Sequence, residues 1–408
     1  MHSEDGIVLV KNFSYLSLLE VANYLFPLVT LPYLSRVLGP EYFGILAIGS
    51  AVIAYFQSII DYGFNFSSVK EIASNKDDHT QVNRVFIETL FSRLFLLLIA
   101  YSILFSLVVT IPYFSANREV IIITSSLLIG YALMTDWFFQ AIEEMQYIAI
   151  VSLVSNIITT SLIFLLIKTS SDYLLQPILI SCGFIASSAL GGFIIIKRYH
   201  IHFYFPPFRS IIKRIKAGFN LFVSIFLPSI YTNLNTILLG AYNGSKATGI
   251  YSGGAKFTSI AYRITMLLSR VFFPFLSRKL NRHQVFVLIS VSLGALISVF
   301  FYVFSGLIVK IFLGPEFVES VTVLRIVSFT PLAMSIFNVY GTNYLVIKGG
   351  ERYLRNIVVF TTIVGLILGV LGARYYSYIG VAVCSLVTQS FRALASFLCA
   401  KSMMKKES

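Results

Sequence analysis

Apolar residues in this chain come in long, nearly unbroken runs rather than in the interrupted stripes of a soluble helix. Twelve runs stand out: 14–36, 43–64, 86–112, 120–142, 147–167, 173–196, 217–241, 248–274, 284–309, 320–346, 356–373 and 378–400. A helix needs about 20 predominantly apolar residues to cross a bilayer. A transmembrane barrel would show alternating segments of about ten residues, and stretches such as Leu94 to Ile99 do not alternate. Helices also satisfy every backbone polar group within one segment, which lipid demands. The pattern predicts an all-α polytopic membrane protein with twelve transmembrane helices in two six-helix lobes. The acidic start, Met1-His2-Ser3-Glu4-Asp5, lacks the basic region of a signal peptide, so the first run is expected to be a retained span.

The longest connection divides the chain. Pro206 and Pro207 stop any helix continuing from run six. Beyond them Phe208, Ile211, Ile212 and Ile215 fall at helical spacing, with Arg209, Lys213, Arg214 and Lys216 between. This reads either as a short basic amphipathic helix lying on an anionic leaflet or as an ordinary positive-inside loop. The predicted organisation is a first lobe over 1–196, a basic linker over 197–216 and a second lobe over 217–408. A faint repeat links the lobes. Pro27 precedes Leu38-Gly39 as Pro228 precedes Leu239-Gly240, and Gly44-Ile45 and Gly249-Ile250 open the following runs. Two parallel repeats, related by a pseudo-twofold axis along the membrane normal, are a recurrent transporter plan.

Composition agrees. Of 408 residues, 57% are hydrophobic and only 12% charged, against about 25% charged in soluble domains. That excludes a soluble enzyme, a secreted disulfide scaffold and a disordered tail. Cys182, Cys384 and Cys399 lie in apolar runs, and the five histidines form no HxxxH pair, so neither a disulfide framework nor a metal site is indicated. The net charge of +13 points, in so apolar a chain, to loops facing an anionic leaflet rather than to nucleic acid. With a cytoplasmic N-terminus, 19 of the 31 cations fall in inner connections, six in outer ones and six inside spans. Both termini are therefore expected inside. No connection is long enough to fold as a catalytic domain.

The two halves differ in charge. Residues 1–204 carry ten cations and fourteen acids; residues 205–408 carry twenty-one cations and four acids. Inside the spans, Glu20, Asp61, Glu88, Asp136 and Arg93 belong to the first half, and Lys256, Arg263, Arg270, Arg325 and Arg392 to the second. A charge at the bilayer centre costs a few kcal/mol or more, so such groups face a protein interior or a wet cavity. Lys256, Arg263 and Arg270 recur every seven residues, and drift only about 20° per heptad. They make a cationic ladder about 21 Å long, suited to an anionic head group such as a diphosphate; the plainer reading has the outer two snorkelling to the interfaces. Asp61 and Asp136 lie near cytoplasmic helix ends, where gate salt bridges or caps are the plainer roles. Glu20, about 9 Å inside the first span, and Glu88 could each bind a coupling proton or sodium ion, with a Glu88–Arg93 ion pair equally compatible. Pro27 and Pro228 are candidate hinges of a rocking lobe, or fixed kinks.

Several stretches resemble a known family. The run Leu25-Phe-Pro-Leu-Val-Thr-Leu-Pro-Tyr-Leu-Ser-Arg-Val-Leu-Gly-Pro-Glu-Tyr-Phe-Gly44 resembles the opening of bacterial O-antigen and capsule repeat-unit flippases. Asp61-Tyr-Gly-Phe with Lys70-Glu-Ile-Ala, Asp136-Trp-Phe-Phe-Gln-Ala-Ile-Glu-Glu-Met145 and Gly249-Ile-Tyr-Ser-Gly-Gly-Ala-Lys256 extend the likeness through both halves; Ala141 stands where the family usually has glycine. The resemblance implies the polysaccharide transporter branch of the multidrug/oligosaccharidyl-lipid/polysaccharide exporter superfamily. It further implies transport of undecaprenyl-diphosphate-linked oligosaccharide across the bacterial inner membrane by alternating access, through a cationic central cavity and without an enzyme's cofactor. Membrane lipids, a polysaccharide polymerase and a chain-length regulator are the partners it implies. An ion-coupled multidrug exporter shares the architecture but predicts acids at its central site. A membrane polysaccharide polymerase or glycosyltransferase would favour a sizeable outer loop, and a structural scaffold leaves intramembrane cations unexplained.

Overall fold

The computed structural model describes the backbone of residues 3–278 and 282–407, and their side chains except at positions within 3–24, 220–232, 270–281 and 405–407. Among the described residues the chain is helical and contains no strand. The helices are α1 (Ser3–Asp61), α2 (Phe64–Ala73), α3 (His79–Thr110), α4 (Pro112–Ala116), α5 (Arg118–Ser125), α6 (Leu127–Leu133) and α7 (Asp136–Ala141). They continue with α8 (Met145–Leu166), α9 (Leu175–Tyr199), α10 (Phe208–Arg278), α11 (His283–Phe312), α12 (Ser320–Val327), α13 (Thr330–Phe337) and α14 (Glu351–Glu407), with a π-helical segment, Asn338–Leu345, after α13. Three of these are paired crossings joined at a single residue: Gly39 in α1, Gly244 in α10 and Ser377 in α14. Gly39 (φ 67°, ψ 174°) and Gly244 (φ 82°, ψ 177°) adopt a conformation essentially closed to other residues. With α5–α7 and α12 through the π segment each counted as one crossing, the described residues make the twelve crossings that the apolar runs predict.

Two compact units are present: residues 1–33 with 49–229, and residues 34–48 with 230–408. The chain passes from one to the other within α1 and within α10, the helices that carry Pro27 and Pro228.

In the first unit the core forms where Trp137, Phe138 and Phe139 of α7 pack with Val85, Phe86 and Ile87 of α3, Ile72 of α2 and Ile195 of α9. Phe86 stacks on Trp137 at 5.6 Å and meets Phe138 edge-on at 5.2 Å. In a membrane such side chains stabilise through close van der Waals packing rather than through transfer out of water. Span four is not one helix. It breaks between Leu133 and Asp136, with Met134 extended (ψ 133°). The basic segment 208–216 is helical but is not a separate surface helix: α10 begins at Phe208, just after the prolines, and continues without a break into the seventh crossing. Nothing between Lys216 and Phe219 stops a helix, because Gly218 serves instead to let α10 approach the Tyr62 ring. Before it, the extended segment is strapped to α3. The His202 backbone N–H donates to Asn83 (2.7 Å), the Asn83 amide donates back (3.2 Å), and Phe203, Phe205 and Phe208 pack on Phe86, Phe91 and Phe95.

In the second unit, Leu239, Ile250 and Tyr251 of α10 pack with Val323 and Val327 of α12 and with Ala373, Val381 and Ala382 of α14. The repeat has a structural centre here. The post-Gly39 half of α1 crosses the post-Gly244 half of α10 with backbones in contact. A Cβ on Gly44 would lie 1.8 Å from the Ser245 carbonyl oxygen, and one on Gly249 1.8 Å from that of Pro40. The contact is reciprocal at a constant offset, as a local twofold requires. It also corrects the register read from the sequence: Gly39 corresponds to Gly244, not Gly240, so the second repeat carries one extra helical turn of about four residues before its break.

Candidate functional site

The motif residues of the first unit converge at one end of its helix bundle. Asp61 ends the helical part of α1, and the chain reverses through Tyr62 (φ 46°) and Gly63 (φ 80°). Glycine is needed at 63 because the conformation is left-handed and a Cβ would meet that of Leu221 at 2.8 Å. Tyr62 stacks nearly parallel on Phe222 of α10, centroids 4.5 Å apart.

Beside this turn lies Arg93, only 2% exposed. Its guanidinium donates to the carbonyls of Tyr131 (2.7 Å) and Met134 (2.8 Å), the groups freed where α6 ends. A cation there satisfies orphan carbonyls and the negative end of the helix dipole. Trp137 Nε1 donates to the same Met134 carbonyl at 3.1 Å. Asp61 and Asp136 both lie within electrostatic reach of Arg93. Asp61 Oδ1 and Arg93 Nε are buried without a hydrogen-bond partner. The break in span four thus has a cause: Arg93 holds it open and Asp136 starts the next turn.

Of the alternatives open for Glu88, the ion pair with Arg93 does not form. Glu88 bonds Arg214 of the linker region, Oε2 to Nη2 at 2.9 Å and to Nε at 3.3 Å, while Arg214 Nη1 reaches Glu71 at 3.1 Å. Arg93 is committed to carbonyls on α6 and the break, so Glu88, one turn away on α3, takes the cation that α10 brings to it. Arg214 was indistinguishable in sequence from Arg209, Lys213 and Lys216; only its inward position sets it apart. Two further pairs, Lys76–Glu143 (3.1 Å) and Arg198–Glu144 (3.6 Å), lie on the same unit. These four ion pairs belong to the first unit.

The second unit carries its cations differently. Lys256 and Arg263 share the exposed face of α10, whereas Gly253, Gly254, Phe257 and Ala261 turn inward. Gly253 and Gly254 let this helix approach Phe317 and Val323. Arg325 is exposed and donates from Nε to Ser305 of α11 at 3.0 Å. Arg392, 8% exposed, donates to Thr361 at 3.1 Å and lies 5.8 Å from the Phe337 ring centroid. The structure therefore brings Lys256 and Arg263 together and sets Arg325 and Arg392 in separate places. Pro27 is exposed on α1, with the Thr30 hydroxyl bonded to the Phe26 and Pro27 carbonyls, a contact that bends helices. The side chains of Glu20, Arg270 and Pro228 lie outside the described residues.

Twelve helical crossings in two units, with ionisable groups placed inside them, define an all-α multi-spanning membrane-protein fold. Over residues 9–280 the sequence matches the family described as polysaccharide biosynthesis protein, and the chain belongs to that family. It is 27% identical over 395 residues to a "Putative O-antigen transporter" of Escherichia coli (strain K12), covering 94% of this chain and 95% of the relative. Two solved structures share the fold. One is an inward-facing multidrug resistance MATE family transporter of the MOP superfamily, with TM-score 0.74 and 15% identity, covering 94% of this chain and 96% of that one. The other is the lipid II flippase MurJ in an inward closed conformation, with TM-score 0.70 and 16% identity, covering 94% and 87%. The family and the all-α polytopic fold agree with the expectations from sequence, and these relatives and neighbours are named as transporters or flippases.

Proposed function

We propose that this protein is a flippase that carries an undecaprenyl-diphosphate-linked oligosaccharide, the repeat unit of an O-antigen or related polysaccharide, from the inner to the outer leaflet of the bacterial inner membrane. The observation that carries this reading is the division of charge. Residues 205–408 carry twenty-one cations against four acids, and two of those cations, Lys256 and Arg263, share one exposed face of α10 in the second unit. The relative's name supports it at the level of O-antigen transport.

The physics is consistent with alternating access. The lipid tail remains in hydrocarbon while the glycan and diphosphate cross, and the cations offset the cost of desolvating the anion. Lys256 and Arg263 are proposed to hold the diphosphate during translocation, with Arg270, Arg325 and Arg392 as further cationic positions. Pro27 and Pro228 are the proposed hinges, since a proline inside a helix removes a backbone bond and localises bending. The cation count supports cytoplasmic placement of both termini. A ligand bound equally well in both states shifts no equilibrium, so direction comes from a gradient or from removal of product. A proton or sodium ion acting through Glu20 or Glu88 is the proposed coupling, with Asp61, Arg93 and Asp136 gating one end. A polymerase and chain-length regulator on the outer face would remove the product.

The test is a leaflet assay for lipid-linked oligosaccharide in cells lacking the protein, complemented with the natural chain or with Arg263→Ala. The reading expects inner-leaflet accumulation without the protein and with Arg263→Ala. Normal outer-leaflet appearance in its absence would end the flippase reading, and full function of the variant would remove Arg263 from it.

A further inference from the structure

The second unit contains a cavity of about 430 Å³ that none of the proposed transport residues line. It lies between α11, α13 and the last part of α14, among side chains that include Val291, Leu332, Ile336, Tyr340, Ala393 and Phe397. Only Ser390 and Tyr340 among its lining residues bear a polar side-chain atom. Its volume falls in the range of small-molecule sites, but it lacks the convergent polar groups that orient a polar ligand. Leu394 and Phe329, on its rim, are 52% and 44% exposed, so it opens to the surroundings along an apolar face. In a bilayer those surroundings are hydrocarbon.

Its dimensions and ends are informative. Phe329 lies near the middle of the tenth crossing and Tyr340 near its end. The groove between them is about 16 Å long, or about half of the 30 Å hydrocarbon layer. It is one leaflet deep. Tyr340 and Phe397 close the end away from mid-membrane, ring centroids 5.0 Å apart. At that end the Lys401 ammonium stands 5.8 Å from the Phe397 ring centroid, and His283 lies 5.6 Å from Tyr340. An apolar slot one leaflet deep with a cation at its mouth matches an amphiphile that has a hydrocarbon chain and an anionic head.

The geometry points to this groove as a binding site for the isoprene units nearest the head group of the lipid-linked cargo, with the diphosphate at Lys401. The assignment rests on the flippase reading, which supplies a cargo with that chain and that head group. It gives the groove a task apart from translocation: the tail is docked on the second unit in the leaflet where the cargo starts.

The test uses the full chain in nanodiscs of phosphatidylethanolamine and phosphatidylglycerol, with a diazirine-bearing polyprenyl diphosphate and mapping of labelled peptides. Labelling is expected in α13, the π segment and residues 390–397 of α14. Excess undecaprenyl diphosphate is expected to lower it about tenfold and extra phosphatidylglycerol to leave it within about twofold. Ala393→Trp, which fills the groove, should lower labelling about tenfold, equivalent to about 1.4 kcal/mol; Ser390→Ile serves as a milder filling if that variant does not fold. Labelling elsewhere, or equal displacement by phosphatidylglycerol, overturns the inference. Flipping by a protein whose groove stays unlabelled overturns the groove and spares the flippase. A labelled groove in a protein that flips nothing spares the groove and overturns the flippase.

Discussion

Replacing Gly249 with alanine tests whether the two repeats meet backbone to backbone. Alanine normally improves a helix interior by up to about 1 kcal/mol over glycine. Here the new Cβ would lie 1.8 Å from the Pro40 carbonyl oxygen, 2.7 Å from its carbon and 3.1 Å from the Gly44 nitrogen, all main-chain atoms. Protein Cβ atoms essentially never approach another heavy atom closer than 3.0 Å, so the helices must part by about 1.2 Å along that direction. No side chain can yield instead. Overpacking of this kind costs about 1–3 kcal/mol and more where backbone moves, which outweighs the propensity gain. The sign of the effect is therefore reversed. Thermal unfolding of the purified protein in nanodiscs reads it, with Gly192→Ala and Gly306→Ala as controls, since a Cβ at either meets nothing within 4 Å. Gly249→Ala is expected to lower the midpoint by several degrees while the controls leave it level or raise it. A Gly249→Ala midpoint that matches the controls would show that the helices do not cross there.

Three further outcomes follow from the first unit. Arg93→Met strands the Tyr131 and Met134 carbonyls and leaves Asp61 and Asp136 without their shared cation, so it should destabilise by about 3–5 kcal/mol, measured as lost folded protein on thermal unfolding; a loss below 1 kcal/mol would contradict it. A double-mutant cycle of Arg214→Ala and Glu88→Gln should give a coupling of about 1–3 kcal/mol, because the 2.9 Å pair is largely shielded from solvent; additive effects would place the pair at the surface. If Glu20 or Glu88 couples transport to an ion, a Glu20→Gln, Glu88→Gln double variant should lose the response of flipping to an imposed pH gradient. An unchanged response would exclude both.

How far the sequence carries can be judged from these sites. Apolar runs revealed the crossings because lipid forces each into a helix, and Gly44 and Gly249 were visible as a recurring pair. Which residue of the second repeat forms the break was not visible. Gly240 and Gly244 both precede Gly249, and only the left-handed conformation at Gly244 decides. The break in span four was hidden because its cause, Arg93, lies 41 residues before Met134 on another helix. For Glu88, an ion pair with Arg93 and a coupling role were equally open, and neither pointed to Arg214, which arrives from 126 residues downstream. The strap of Phe203 and Phe205 along α3 left only a weak trace, three consecutive aromatics (Phe203, Tyr204, Phe205) after a helix. Local chemistry was readable, and long-range partners among like residues were not.

The central proposal is translocation of an anionic lipid-linked glycan, and reconstitution tests it most directly. Purified protein in sealed vesicles would be given a fluorescent undecaprenyl-diphosphate-linked oligosaccharide, with outer-leaflet exposure read by a membrane-impermeant quencher or lectin. Transbilayer movement is expected with the natural chain, together with a large fall for Lys256→Ala, Arg263→Ala. Movement no faster than in protein-free vesicles, or equal movement by the double variant, would contradict it.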